Sequence, residues 1–206
     1  MDYNTIYEKC EAGFVEKRSE FIGYLAPCAD SEQAVAFIEE IRARHRKATH
    51  NVYAYILRDG NTTRYSDDGE PQGTAGVPVL NVLQKSGLTD VCCVVTRYFG
   101  GILLGGGGLV RAYSHSASLA VSAARIMKMC ECREMNITTD YTFYGAISNA
   151  LHDFEVKLLD TQYSDNVELR LLVKTGELQT LRSKLTDVAN GQISLYESEI
   201  KFGDFS

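Results

Sequence analysis

Three carboxylates fall within four residues of one turn-rich stretch: Asp67, Asp68 and Glu70 in SDDGEPQGTAG (66–76), which also carries Thr74. Oxygen donors this close together could hold Mg²⁺ or supply a general base. The same composition describes a solvated turn, and the alternating acidic pattern of an EF-hand loop is missing. Further on, six of the nine residues from Gly100 to Gly108 are glycine. A short apolar run, VCCVV (91–95), precedes them and reads as a strand buried on both faces. Helical sequence follows from Leu109 to Ala124. Strand, glycine loop and helix in that order would place bare N–H groups of Gly105, Gly106, Gly107 and Gly108 at a helix N-terminus, where phosphate or carboxylate is favoured. Glycines serve tight turning and close packing equally well. Arg97, with Tyr98 beside it, and Arg111 flank the loop, each guanidinium a planar fork of donors for an oxyanion. Asp68 or Glu70 could occupy those forks, so a ligand site stands against an internal ion-pair network joining the acidic loop to the two arginines.

A second group is basic. Arg42, Arg44, His45, Arg46 and Lys47 lie together, followed by His50. Cations at a helix C-terminus are favoured by its dipole, and a local anion or RNA contact is the other use for Arg46, Lys47 and His50. Ser114, His115 and Ser116 are adjacent on a helix and so diverge, and there is no G-x-S-x-G elbow for a hydrolase. Neither the Walker phosphate loop nor the dinucleotide G-x-G-x-x-G fingerprint is present. Cys130 and Cys132 form CxC without a second cluster, and Cys92 and Cys93 sit in the apolar strand, so free thiols are expected rather than zinc. No catalytic residue, cofactor or metal is assigned.

The elements that must position these residues can be read in order. Glu20 to Ala26 reads as a strand after an earlier extended segment. Asp30 with Gln33 has capping-box spacing, and Ala34, Phe37, Ile38 and Ile41 share the apolar face of the helix that follows. Asn51 to Leu57 and Thr62 to Tyr65 read as a hairpin turning at Asp59-Gly60. A helix is expected from about Thr74 to Lys85, with Pro78 in its first turn and Gly87 beyond its end. From Ile126 a new unit begins: strand (131–139), helix (141–152), strand (155–161), strand (167–174), helix (177–188) and strand (192–200). That order is βαββαβ, the ferredoxin-like split. The chain therefore reads as a two-domain α/β (α+β) protein, with domains at 1–125 and 126–206.

Composition narrows the function. The net charge is −6 over 206 residues, and residues 127–206 hold −5 of it, with 8 Lys+Arg against 13 Asp+Glu. A whole-surface basic footprint for nucleic acid is excluded, so any such contact must be local. No apolar run approaches the length of a membrane span. The polar opening MDYNTIYEKCEAG lacks a signal-peptide core, so a cytoplasmic location is expected.

YSDDGEPQGTAGVPVL (65–80) and VVTRYFGGILLGGGGLVRAY (94–113) resemble the two signature blocks of the IMPACT family, with its bacterial YigZ branch. RSEFIGYLAP (18–27) and RKATHNVYAYIL (46–57) resemble two weaker upstream blocks. Where the family commonly has a threonine or other polar residue in the second glycine run, this chain has only glycine. The resemblance implies an N-terminal domain of the ribosomal protein S-five domain-2 type and a ferredoxin-like C-terminal domain similar to elongation factor G modules. It also implies a link to translation, since eukaryotic relatives regulate the amino-acid-starvation response by competing for a ribosome-associated activator of an initiation-factor kinase. It supplies no catalytic residues. Two functions follow as expectations. One is a regulatory module that binds RNA, the ribosome or a translation factor through the N-terminal domain. The other is an enzyme using a phosphorylated ligand or metal at the acidic-loop and glycine-loop surface.

Overall fold

The computed structural model describes residues 2–206 and divides into two compact units, Tyr3–Met127 and Lys128–Ser206, the latter with Asp2. The first unit contains β1 (Tyr3–Ile6), β2 (Cys10–Glu16), β3 (Ser19–Pro27), α1 (Ser31–Arg44), β4 (His50–Leu57), β5 (Thr62–Ser66), α2 (Gly76–Lys85), β6 (Val91–Tyr98) and α3 (Gly106–Ala123). Five of its strands form a sheet in the order β2-β3-β6-β4-β5, with antiparallel neighbours throughout.

Side-chain alternation along the strands builds two cores, one on each face of this sheet. Phe21, Leu25, Val52, Ala54, Val91, Cys93 and Val95 pack with Val79 and Leu83 of α2 and with Ala112, Tyr113 and Ala117 of α3. Tyr24, Ala26, Tyr55, Cys92 and Val94 pack on the other face against Ala34, Phe37, Ile38 and Ile41 of α1. The continuous apolar run in β6 follows from this: it is the central strand, with helices on both sides. All six cysteines are free, and all but Cys10 are buried.

Helix ends match the sequence reading in part. Asp30 Oδ1 accepts from the N–H of Gln33 at 2.8 Å, and Gln33 Oε1 accepts in return from Ala29 at 3.0 Å, one residue earlier than a capping box requires. Gly87 has φ +64 and ends α2, with Leu88 N–H reaching back to the carbonyl of Leu83 at 3.3 Å. The turn between β4 and β5 is longer than the expected two-residue turn. A short 3₁₀ segment, Asp59–Asn61, sits there, and just before it Asp90 accepts from the N–H and Nε of Arg58 at 2.8 and 2.7 Å. β1 has no counterpart among the elements expected from sequence.

β7 (Ile126–Thr139) leads into the second unit, which holds all of it from Lys128 on and continues through α4 (Tyr141–Leu151), β8 (Val156–Tyr163), β9 (Val167–Lys174) and α5 (Leu178–Val188) to β10 (Ile193–Glu197) and β11 (Lys201–Asp204). Its antiparallel pairings give β10-β7-β9-β8, the ferredoxin-like order. The expected last strand is two strands instead, β10 on residues 135–139 of β7 and β11 on residues 129–132. Ile147, Leu181 and Leu185 cover one face of the sheet over Met135, Ile137, Leu169 and Leu171. Asn136, Glu168 and Arg170 alternate outward and are exposed. No helix among the described residues is long and apolar enough to cross a membrane.

Candidate functional site

The acidic loop follows β5 and is held by its own carboxylates. Asp67 caps α2: Oδ1 accepts from the N–H groups of Ala75 and Gly76 at 3.1 and 2.8 Å, and Oδ2 accepts from Gly73 at 2.8 Å. These donors are unsatisfied at any helix start, and a carboxylate there also suits the dipole. This fixes the start of α2 at Gly76, two residues later than the expected Thr74. The Thr74 hydroxyl donates to the carbonyl of Pro71 at 2.6 Å, within the loop.

Asp68 sits at φ +45, a left-handed position that aspartate tolerates. Its Oδ2 accepts from the N–H of Asn51 at 2.6 Å, and its Oδ1 meets Arg42 Nη2 at 3.2 Å. Its carbonyl lies 2.7 Å from Nδ1 of His50. Glu70 is buried at 8 % exposure, and its Oε1 accepts from Arg97 Nη1 at 2.6 Å and from the Tyr113 hydroxyl at 2.7 Å. His50 Nε2 lies 3.7 Å from the same oxygen. Arg97 is itself buried, with its guanidinium carbon 5.4 Å from the ring centres of both Phe21 and Phe99. Burial, then the Glu70 charge, pushes the Tyr113 phenol well above its usual pKa, so it stays a donor to the carboxylate.

All three carboxylates are thus engaged inside the protein, and no group of side chains that could hold a metal occurs among the described residues. The internal network that stood as the alternative to a ligand site forms with Arg97 but not with Arg111; Arg42 takes part in its place. Arg111 is exposed on α3 and has no ion-pair partner among the described residues. Its guanidinium lies over Gly107, where an added Cβ would be 3.7 Å from Nη1.

The glycine run is not a loop along its whole length. Gly105, at φ +73, precedes the helix, and Gly106, Gly107 and Gly108 form the first turn of α3. The first helical bond runs from the N–H of Leu109 to the carbonyl of Gly105 at 2.9 Å. A Cβ on Gly106 would meet the Thr74 methyl at 3.9 Å, so the acidic loop and the glycine run do lie side by side. Gly100 is obligatory for a different reason: a Cβ there would lie 2.1 Å from backbone atoms of Arg18.

The basic cluster divides. Arg42 pairs with Glu39 and Asp68, and Arg44 pairs with Glu11. His45 bridges the hydroxyls of Tyr24 and Tyr98 at 2.7 and 2.8 Å, and burial lowers its pKa. Tyr98 therefore faces α1, on the opposite side of β6 from Arg97. Arg46 and Lys47 are exposed without an ion-pair partner among the described residues. They follow α1 at the same end of the sheet as the acidic loop, since the N–H of Thr49 donates to the carbonyl of Arg97 at 2.8 Å. Tyr113 and the exposed Phe99, Ile102 and Leu103 are not singled out by sequence reading. The available signal for Tyr113 is a large phenol on the apolar face of a helix, whose hydroxyl must find a buried partner.

Comparison with known proteins agrees with this architecture. The family model described as the Impact N-terminal domain matches residues 17–121, and a domain of unknown function, DUF1949, matches residues 137–192. The chain is 39% identical over 201 residues to the IMPACT family member YvyE of Bacillus subtilis, covering 97% of this chain and 93% of that protein. It is 35% identical to the IMPACT family member YigZ of Escherichia coli, covering 89% and 91%. The Protein IMPACT of Xenopus laevis is 34% identical over 94 residues, which span 44% of this chain and 30% of that protein. A crystal structure described as that of a hypothetical protein superposes with a TM-score of 0.62 at 32% identity, covering 96% of this chain and 98% of the other. With both domain models matched in order and relatives aligned over nearly its full length, the chain belongs to the IMPACT family.

Proposed function

We propose that this protein is a cytoplasmic, translation-associated regulator whose N-terminal unit docks on RNA, on the ribosome or on a translation factor. The observation that carries the reading is how charge is arranged at one end of the five-stranded sheet. Asp67, Asp68 and Glu70 are satisfied internally, while Arg46, Lys47 and Arg111 are exposed without ion-pair partners among the described residues. Phe99, Ile102 and Leu103 are exposed in the segment between β6 and α3. Local cations beside an aromatic ring suit a phosphate-bearing strand, where the ring stacks on bases and the cations follow the backbone. Such a surface does not need a basic protein overall, in keeping with the net charge of −6. The family's connection with translation supports the same reading.

Co-sedimentation with ribosomes and with purified ribosomal RNA, as monovalent salt rises from about 50 to 200 mM, tests it. Binding that weakens steadily with salt and is reduced by Arg46→Gln with Lys47→Gln is the expected result. Lack of association with either probe at the lowest salt would overturn it.

A further inference from the structure

A cavity of about 340 Å³ lies between the end of β2 and the first turns of α3. Phe14 and Leu104 supply apolar wall, and Glu16, Lys17, Arg111 and His115 supply its polar groups. Its size falls within the range of small-molecule sites. Two features make it a built site rather than a surface dent. Lys17 and Arg18 form the two-residue turn of the β2–β3 hairpin, at φ +46 and +65, with Glu16 paired to Ser19. Gly100 packs directly against the backbone of that turn. Phe14, two residues before Glu16 on β2, stacks on Phe21 with ring centres 5.3 Å apart and forms a T-shaped pair with His115 of α3 at 4.6 Å. The polar groups therefore project from a tight hairpin and a packed helix.

Neither Lys17 nor Arg111 has an ion-pair partner among the described residues, although Glu16 lines the same cavity. Two cations and an imidazole suit an acceptor-rich anion. Glu16 would repel that anion if it came close, so it suits the donor part of the same ligand, a hydroxyl or amino group. Phe14 and Leu104 then suit a flat, weakly polar ring. Anion, hydroxyl donors and ring, at this volume, describe one nucleotide.

We propose that this cavity binds a ribonucleotide through its terminal phosphate monoester, with Lys17 and Arg111 on the phosphate, Glu16 on sugar hydroxyls and the base against Phe14 and Leu104. The nucleotide is either free or the phosphorylated end of an RNA strand. The proposal does not rest on docking through Arg46 and Lys47.

Calorimetric titration of the full chain with AMP, UMP, adenosine, inorganic phosphate, and a short RNA with and without a terminal phosphate separates the possibilities. The expected result is saturable binding of a phosphorylated probe, at least tenfold weaker for adenosine and for the unphosphorylated RNA, since a hydrogen bond to a charged group is worth about that factor or more. Binding of AMP or UMP identifies free nucleotide as a source. Binding of the phosphorylated RNA alone identifies the strand end. Arg111→Gln and Lys17→Gln should each weaken AMP binding about tenfold. Both cations are exposed, so the fold should survive, and amide shift mapping gives a second readout centred on Lys17, Gly108 and His115. The proposal is overturned if no nucleotide-bearing probe saturates, if adenosine binds as well as AMP, or if Arg111→Gln and Lys17→Gln change nothing.

Discussion

At the residue scale, Glu70 is the pivot of the N-terminal unit. One of its oxygens takes both the Arg97 guanidinium and the Tyr113 hydroxyl, and all three side chains are buried. Removing one partner of a buried pair strands the other's charge, which costs about 3–5 kcal/mol, whereas replacing both with apolar groups of similar volume is close to neutral. Urea denaturation should therefore show Glu70→Ala strongly destabilised, and Glu70→Leu with Arg97→Met much less so. A second residue sets a pH dependence. Burial, aided by Arg44, lowers the pKa of His45, so the unfolded chain binds its proton more readily than the folded one. Stability contributed by neutral His45 is then complete above about pH 6.5 and is lost as pH falls below that value. The neutral ring bridges two tyrosine hydroxyls, and His45→Gln should flatten this acid limb of a stability–pH curve.

At the element scale, the glycines around α3 have two different jobs. A Cβ at Gly100 would collide with the backbone of Arg18 and Ser19. Gly100→Ala should lower stability by about 1–3 kcal/mol through a forced backbone shift. Gly106 is helical, and its nearest neighbour would be 3.9 Å from an added Cβ. Gly106→Ala should raise stability by about 0.4–1 kcal/mol, because alanine limits the unfolded chain without strain. Thermal melts of the pair check this, and opposite signs are expected. The same contrast separates what is legible in the sequence from what is not. The apolar run in β6, the face of α1 and the βαββαβ order are legible because burial imposes a period on side chains. The start of α3 is not, because a glycine run signals freedom and carries no period. It is helical because Leu109, Ala112, Tyr113 and Ala117 behind it are locked into the core. The engagement of Asp67, Asp68 and Glu70 is hidden as well. Their partners Gly76, Asn51, Arg97 and Tyr113 come from α2, β4, β6 and α3, and only the fold brings them to one loop.

At the scale of the whole molecule, charge is divided between the units. Residues 127–206 carry most of the net −6, so a phosphate-bearing partner should engage the N-terminal unit. The salt dependence of binding by the full chain reads this out. Each phosphate that a variant no longer neutralises should lower the slope of log affinity against log salt by about 0.7–0.9. Docking through the exposed cations is decided by salt-dependent co-sedimentation with ribosomes, comparing the wild-type chain with the Arg46→Gln, Lys47→Gln, Arg111→Gln triple variant. Wild-type binding should fall with salt, and the triple variant, at unchanged stability, should bind more weakly with a flatter slope. Equal binding by both proteins at every salt concentration, or none by the wild type, would contradict it.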